Sequence, residues 1–404
     1  METGEARETG AGLSGGRVAF LAFIAAVTVA NVCYAPPLAA EFARSFGVSE
    51  KSAGLVTALS QMGYGAGILV IVPLGDLIEQ RKLIMTLLAA VSVSLVAAAL
   101  SPGIHFLAAA AFLVGATTII PQVLIPYAAA LSTPGRRAGT IGTIQGALLV
   151  GILLARTVAG ETADRWGWRS VYWIAASAMV VLAGLVWLFL PRHQPESSVG
   201  AFKLAASMGE LLRSQPLLRS YSASSALSYA CFSVFWSTLA FLLFSLPEHY
   251  GPAVAGRFGL AGAAGALTVP LIARWSNRRG THFTGGTGLV VCLLSIPVFW
   301  AGSASLAGLA AAVVIVDMGL QANHVSNQTA ILSLVQGATG RINGIYMFFR
   351  FLGGAIGSIA GAWAWQDFGW AGVCATGAVF AAAALVCHSR AGREEAMNLA
   401  LSYE

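Results

Sequence analysis

Four polar residues interrupt one long apolar stretch late in the chain: Asp317, Gln321, His324 and Gln328. Spacings of 4, 3 and 4 residues place all four on one face of a helix. An acid and an imidazole on such a face have the chemistry to take up a proton and hand it along. Ionisable groups in lipid cost about 2.5–3.5 kcal/mol each, so they face a cavity or a partner. A hydrogen-bonded contact between helices is the plainer alternative for the stripe. Arg350 is a second charge in an apolar run, nine residues beyond Arg341 and so about 13 Å along a helix. An arginine at that depth keeps its charge and needs an anion, from Asp317 or from a substrate carboxylate or phosphate. Asp317 lies about 18 Å into its own run, and in a core of ~30 Å the two depths nearly coincide. The expectation is a pair, Asp317 with Arg350, in which Asp317 takes a proton when Arg350 moves away and His324 passes it on.

The elements that must hold these groups are membrane helices. Of the 404 residues, 57% are hydrophobic and only 10% charged, with a mean hydropathy of +0.75. A soluble domain carries roughly 25% charged residues, so lipid must cover most of this surface. Runs of about 20 apolar residues match the hydrocarbon core, and the alternation of a membrane barrel is missing. Twelve runs fall at 18–40, 53–75, 83–100, 106–131, 139–160, 171–190, 221–246, 254–273, 283–301, 306–335, 342–365 and 371–387. The expected fold is an all-α integral membrane protein of twelve transmembrane helices in two six-helix halves, 1–190 and 221–404, joined by a cytoplasmic linker at 191–220. With the N-terminus inside, sixteen of the 23 Lys and Arg residues fall on inner tails and loops and five on outer loops. That bias sets the orientation, with both termini cytoplasmic. Arg156 and Arg350 remain in the membrane. Arg156, nearer the outer face, is expected to pair with Glu161 or Asp164 or to reach outward.

The net charge of +6 therefore reads as loop topology and not as nucleic-acid binding. The first sixteen residues show no cleavable leader pattern, so the first run is expected to stay as a helix. The five cysteines, in or beside apolar runs without CxxC spacing, read as small buried residues. Two landmarks recur. Val72-Pro73-Leu74 returns as Val269-Pro270-Leu271 after 197 residues, and Asp164-Arg165-Trp166-Gly167-Trp168 as Gln366-Asp367-Phe368-Gly369-Trp370 after 202. Near-equal offsets suggest a repeat of six helices, an arrangement that sets a midplane site between the repeats. Pro36-Pro37 and Pro121 with Pro126 should kink the first and fourth helices.

The loop Gly75-Asp76-Leu77-Ile78-Glu79-Gln80-Arg81-Lys82 carries a glycine, an aspartate and a basic cluster, with Leu77, Glu79 and Gln80 between them. With this loop the chain, from its first run to its last, resembles the major facilitator superfamily, from whose signature Leu77, Glu79 and Gln80 are departures. The loop's counterpart is Asn277-Arg278-Arg279. The resemblance implies a conformational latch at Asp76, Arg81, Lys82, Asn277 and Arg278. Asp317-Met318-Gly319-Leu320-Gln321, Ser326-Asn327-Gln328-Thr329, Arg341-Ile342-Asn343-Gly344-Ile345-Tyr346-Met347 and Gly353-Gly354-Ala355-Ile356-Gly357-Ser358 resemble a bacterial branch of 12-helix sugar or drug efflux permeases. Leu154-Ala155-Arg156-Thr157 and Trp166-Gly167-Trp168-Arg169 fit the same branch. The basic residue common in the fourth helix of proton-driven drug antiporters is replaced here by Thr117, Thr118, Pro121 and Gln122.

A transport cavity needs a few donors amid apolar walls. The candidates are Asn31, Tyr34, Gln61, Tyr64, Gln122, Gln145, Tyr229, Trp236, Gln321, Tyr346 and Arg350, each also able to serve as packing glue. No GxxxxGKS loop, metal-spaced cluster or GxSxG nucleophile occurs, so no cofactor, metal or catalytic residue is expected. The reading is a secondary transporter of a small organic solute in the bacterial inner membrane, working as a monomer with lipid around it, by alternating access and most simply as a proton-coupled efflux antiporter. The alternatives are a proton-linked importer of an anionic metabolite and, remotely, a multispan membrane enzyme or lipid-handling protein.

Overall fold

The computed structural model describes residues 13–133, 135–191, 201–332, 334–335 and 338–401. They form fifteen helices and, among the described residues, no strand. In chain order these are α1 Gly15–Val29, α2 Ala35–Phe46, α3 Glu50–Ile71, α4 Gln80–Ala99, α5 Ile104–Thr117, α6 Ile120–Leu131, α7 Arg137–Trp166, α8 Trp168–Phe189, α9 Ala201–Ser214, α10 Pro216–Ser245, α11 Pro252–Ala266, α12 Val269–Arg279, α13 Thr281–Ala301, α14 Leu306–Leu332 and α15 Thr339–Leu401.

Ten continuous helical stretches are long and apolar enough to cross a membrane. Two breaks reconcile that number with the twelve runs. α15 is divided at Gly369, whose φ of 62° and ψ of −152° are not helical; glycine tolerates that region because it has no Cβ. The run at 254–273 is split between α11 and α12, because Pro270 lies in the first turn of α12 and has no N–H to continue the ladder. The expected kinks appear for the same reason. A 3-10 turn at Ala30–Cys33 separates α1 from α2, which opens on Pro36 and Pro37, and α5 stops at Thr117 before Pro121 in the first turn of α6.

The repeated landmarks share local structure. Pro73 lies in the first turn of the 3-10 segment Val72–Asp76 that ends the α3 span, as Pro270 does in α12. Gly167 and Gly369 both take positive φ, 79° and 62°. The expected linker at 191–220 falls partly on residues 192–200, outside the described residues; the rest forms α9 and the first turn of α10.

Large apolar side chains such as Val181, Trp187, Phe189, Leu294, Trp300 and Val379 point outward and stay exposed. On a soluble protein such a belt would drive aggregation, and in a bilayer it faces lipid. The core holds small and aromatic residues instead. α10 is the most enclosed span, with 83% of its membrane window buried. It packs along α15, where Gly353 and Gly357 touch the backbone of Ala226 and Ala230 so closely that a side chain would not fit.

Candidate functional site

α10 carries three aromatic rings on its inward face. Tyr229 stacks on Phe232 with centroids 5.4 Å apart and planes at 16°, and Phe232 meets Trp236 at 5.8 Å. The i, i+3 and i+4 spacing makes this ladder. A guanidinium sits at each end. Arg350 of α15 lies 4.4 Å from the Tyr229 centroid and donates to Ser225 Oγ at 3.3 Å. Arg156 of α7 lies 3.8 Å from the Trp236 ring and 5.9 Å from that of Phe232. Both arginines are more than nine-tenths buried.

Asp317 closes the cluster. It is 7% exposed and lies against α11, where a Cβ on Gly262 would stand 2.7 Å from Asp317 Oδ2 and 3.6 Å from Trp236 Cζ2. One turn on, a Cβ on Gly265 would stand 2.5 Å from Asp317 Cβ, so the two helices meet there through a glycine. Asp317 Oδ2, Arg156 Nε and the Trp236 indole nitrogen are all buried without a hydrogen-bond partner. Buried polar groups are normally bonded, and three unbonded ones around a single ring mark a place kept for something else. Magnitudes support this. A desolvated cation–π contact gives roughly 2 kcal/mol, whereas burying an ion costs several. The rings alone do not offset the two guanidiniums.

Asp317 and Arg350 do not form the expected ion pair. Four ion pairs occur among the described residues, and none includes Asp317, Arg156 or Arg350. Arg156 is thus the residue the sequence reading placed wrongly. Glu161, its expected partner, instead binds Arg257 at 2.7 Å. Spacing along one helix suggested Glu161; the aromatic face of α10 that claims Arg156 is 80 residues away in sequence, Trp236 against Arg156.

The rest of the α14 stripe turns to α15. His324 Nδ1 is 3.0 Å from the Tyr346 hydroxyl with the rings stacked, and Gln328 donates to Asn343 Oδ1 at 2.8 Å. Gln321 is half-buried between these and Asp317. Gln61 joins three spans, donating to Ser358 Oγ at 3.2 Å and accepting from Ser233 at 3.4 Å. Gln122 donates to the Tyr64 hydroxyl at 3.3 Å, and the Tyr64 ring lies 4.5 Å from Phe351. Asn31 donates to Met179 Sδ, and Tyr34 meets Tyr172 edge-on; both side chains are engaged within the first six spans. Gln145 is exposed. Of the latch residues, Arg81 donates to the Trp187 carbonyl, while Lys82, Asn277 and Arg278 are exposed. The side chain of Asp76 lies outside the described residues.

The two ends of the bundle differ. On the face that the charge bias assigns to the outside, residues 153–160 of α7 press on 252–259 of α11. Gly160 and Gly256 allow backbone contact there, and Thr157 donates to the Gly256 carbonyl at 3.1 Å. Arg257–Glu161 and Lys51–Asp367, each at 2.7 Å, bridge the same face. Toward the opposite face the helices part. Gly139, Gly142 and Gly146 of α7 have nothing within 4 Å of a Cβ position, and Leu267 and Leu271 on the α12 side are 79% and 63% exposed. Leu153 and Arg156 mark the floor of the seal, the Leu153 carbonyl oxygen and the Arg156 Cβ each 3.0 Å from the Cβ position of Gly259.

Twelve hydrophobic segments, sealed at one face around a buried charged site, agree with the sequence comparison. Residues 18–358 match the Major Facilitator Superfamily. The chain belongs to that superfamily. Among its relatives, transporter YgaY of Escherichia coli O157:H7 is 39% identical over 96% of this chain and 98% of its own. Transporter SCO4007 of Streptomyces coelicolor is 33% identical over 88% and 83%. The superfamily fold is also seen in solved structures: a bacterial homologue of the human lysosomal transporter Spinster, with a TM-score of 0.72, 16% identity and 93% and 96% coverage, and nucleoside transporter NupG, with 0.73, 14%, 93% and 98%. Major facilitator membership makes this a multi-pass, membrane-embedded transporter of small molecules and removes the membrane enzyme from consideration.

Proposed function

We propose that this protein is a secondary active transporter of a small organic solute, working by alternating access between two six-helix halves and coupled to protons in the efflux direction. The observation that carries the coupling is the buried, unbonded Asp317 carboxylate at the level where the α7–α11 seal ends. A carboxyl with no fixed hydrogen bond on Oδ2 is free to bind and release a proton as the cavity changes sides. In this reading the protein is a monomer in the inner membrane with both termini cytoplasmic, the conformation described is open inward, and the basic loops 81–82 and 277–278 engage only when the inner face closes. Efflux rests on the resemblance to the permease branch. The second reading, proton-linked import of an anionic metabolite, draws on the two buried arginines set against one buried acid.

Purified protein in liposomes with an imposed pH gradient tests the proposal. Accumulation of a solute against its gradient, collapsing when a protonophore is added, is the expected result. A solute flux indifferent to the pH gradient overturns the coupling, and the direction of the accumulating gradient separates efflux from import.

A further inference from the structure

The charges of the site do not balance. Among residues whose burial is described, Arg156 and Arg350 are the buried cations of permanent charge and Asp317 the buried carboxylate. Even with Asp317 ionised, one positive charge lacks a counter-ion in a place where lipid and protein supply none. The surrounding surface is aromatic: Tyr229, Phe232 and Trp236 on α10, with Phe351 at 5.6 Å from Tyr229. Two buried donors there have no acceptor, Arg156 Nε and the Trp236 indole N–H. Arg350 has Ser225 as a neutral partner, so Arg156 is the guanidinium with unmet need.

We infer that the transported solute is a small aromatic organic anion whose acid group docks on Arg156 beside the Trp236 N–H and whose ring lies on the Tyr229–Phe232–Trp236 ladder. The inference rests on the transporter reading and names its substrate class. A planar carboxylate suits a guanidinium, which offers paired parallel donors. A flat ring suits the half-buried Tyr229 and Phe351, which leave more ring surface to stack on than the buried Phe232 and Trp236. A cationic solute meets two like charges, and a neutral one leaves the excess charge unmatched. A short aliphatic acid satisfies Arg156 and leaves the ladder bare. Arg156 also belongs to the seal, since its carbonyl and Cβ touch Gly256 and Gly259. The group that binds the solute is therefore built into the contact that must open to release it outward.

The test is binding to the purified protein in detergent, read as thermal stabilisation, so that it needs no transport. The probes are benzoate, 4-hydroxybenzoate, phenylacetate and indole-3-acetate, with benzamide, benzylamine, acetate and chloride as controls. At least one aromatic carboxylate should raise the melting temperature in a saturable way and bind about tenfold or more tightly than every control. Arg156→Gln should remove that stabilisation, and Trp236→Leu should weaken it. If Arg156→Gln fails to fold, Arg156→Lys serves, with the paired donors lost and the charge kept. Stabilisation by benzylamine or benzamide equal to that by the aromatic acids overturns the inference, as does equal stabilisation by acetate or chloride, or no response to any of the four acids. If aromatic acids bind but no pH-driven flux occurs, the substrate class stands and the coupling proposal falls. If pH-driven flux of a cationic or neutral solute is found without binding of the acids, the reverse holds.

Discussion

The two halves of α14 treat their polar residues differently. Past its middle, His324 and Gln328 are each tied to a side chain of α15, which is what interhelical packing in a membrane asks for. Two turns before His324, Asp317 leaves Oδ2 buried and unbonded against α11. The sequence spacing presents all four residues as one stripe, but of these four only Asp317 leaves a buried side-chain atom without a partner. A polar group with a fixed partner in lipid is explained by that partner. One without a partner persists because something transient meets its need.

The largest expected effect separates these two ends. Asp317→Asn should abolish accumulation driven by a pH gradient, at least about tenfold in the steady-state ratio and so above 1.4 kcal/mol, while downhill exchange survives. Counterflow and gradient-driven uptake in the same liposomes measure the two. Asp317→Asn that accumulates solute as well as the parent would make the upper end as structural as the lower. Adding Arg350→Gln to Asp317→Asn sharpens the comparison. Since the two residues form no ion pair here, the second change should not restore function, and by removing one of the two buried cations it should weaken binding of an anionic solute.

The next effect concerns the seal above Asp317. Gly256→Leu pushes a side chain into the Arg156 carbonyl, and overpacking of this kind costs about 1–3 kcal/mol. That strain falls only on the state with the outer face closed, so the population should move about tenfold or more toward outward-open. In a background lacking the five native cysteines, Ala255→Cys at the buried seam should react faster with a membrane-impermeant maleimide. An unchanged rate would mean that the seam is not where the outer face opens.

How far the sequence led can be judged at particular residues. The apolar runs, the proline breaks at 36–37 and 121, and the glycine turns at 167 and 369 were legible because each has a local cause: hydrophobic length, a missing N–H, or a missing Cβ; the break at Pro270 was not read, its run at 254–273 being taken as one helix. Two of the local cues misled. The depth argument that set Asp317 beside Arg350 fixes height in the membrane but not rotation about the helix axis, and rotation is what sends Asp317 to α11 and Arg350 to Tyr229. Arg156 was expected to pair with Glu161 or Asp164 or to reach outward, because those were the acids near it in sequence, although Glu161 faces Arg257 across the seam. The signal that could have found Arg156 was the Tyr229–Phe232–Trp236 spacing, an aromatic face with no partner yet named.

A smaller effect tests the lower end. Tyr346→Phe removes the hydroxyl within 3.0 Å of His324 Nδ1 and keeps the stacked ring. One hydrogen bond contributes about 0.5–1.5 kcal/mol net, so thermal stability should fall slightly while pH-driven accumulation stays within about twofold of the parent. If coupling collapses as in Asp317→Asn, His324 belongs to the proton path and the two ends of α14 act together.

The smallest effect belongs to the outer rim. Lys51 and Asp367 meet at 2.7 Å, but their side chains remain 26% and 44% exposed, and Lys51 also sits 4.6 Å from the Trp363 centroid. Water and salt screen a pair in that position, so a double-mutant cycle with Lys51→Met and Asp367→Asn should return only about 0.2–1 kcal/mol, shrinking as ionic strength rises. The pair bridges α3 and α15 in the sealed state, so its loss should speed labelling at Ala255→Cys less than Gly256→Leu does. The contrast with Asp317 is in the medium. The rim pair is bonded yet replaceable because water can take either partner's place, whereas under the proposed coupling the buried, unbonded carboxyl is not, because nothing permanent near it can stand in. A coupling energy at the rim well above 1 kcal/mol and insensitive to salt would show instead that the closed outer face is held by charge and not by the glycine seam.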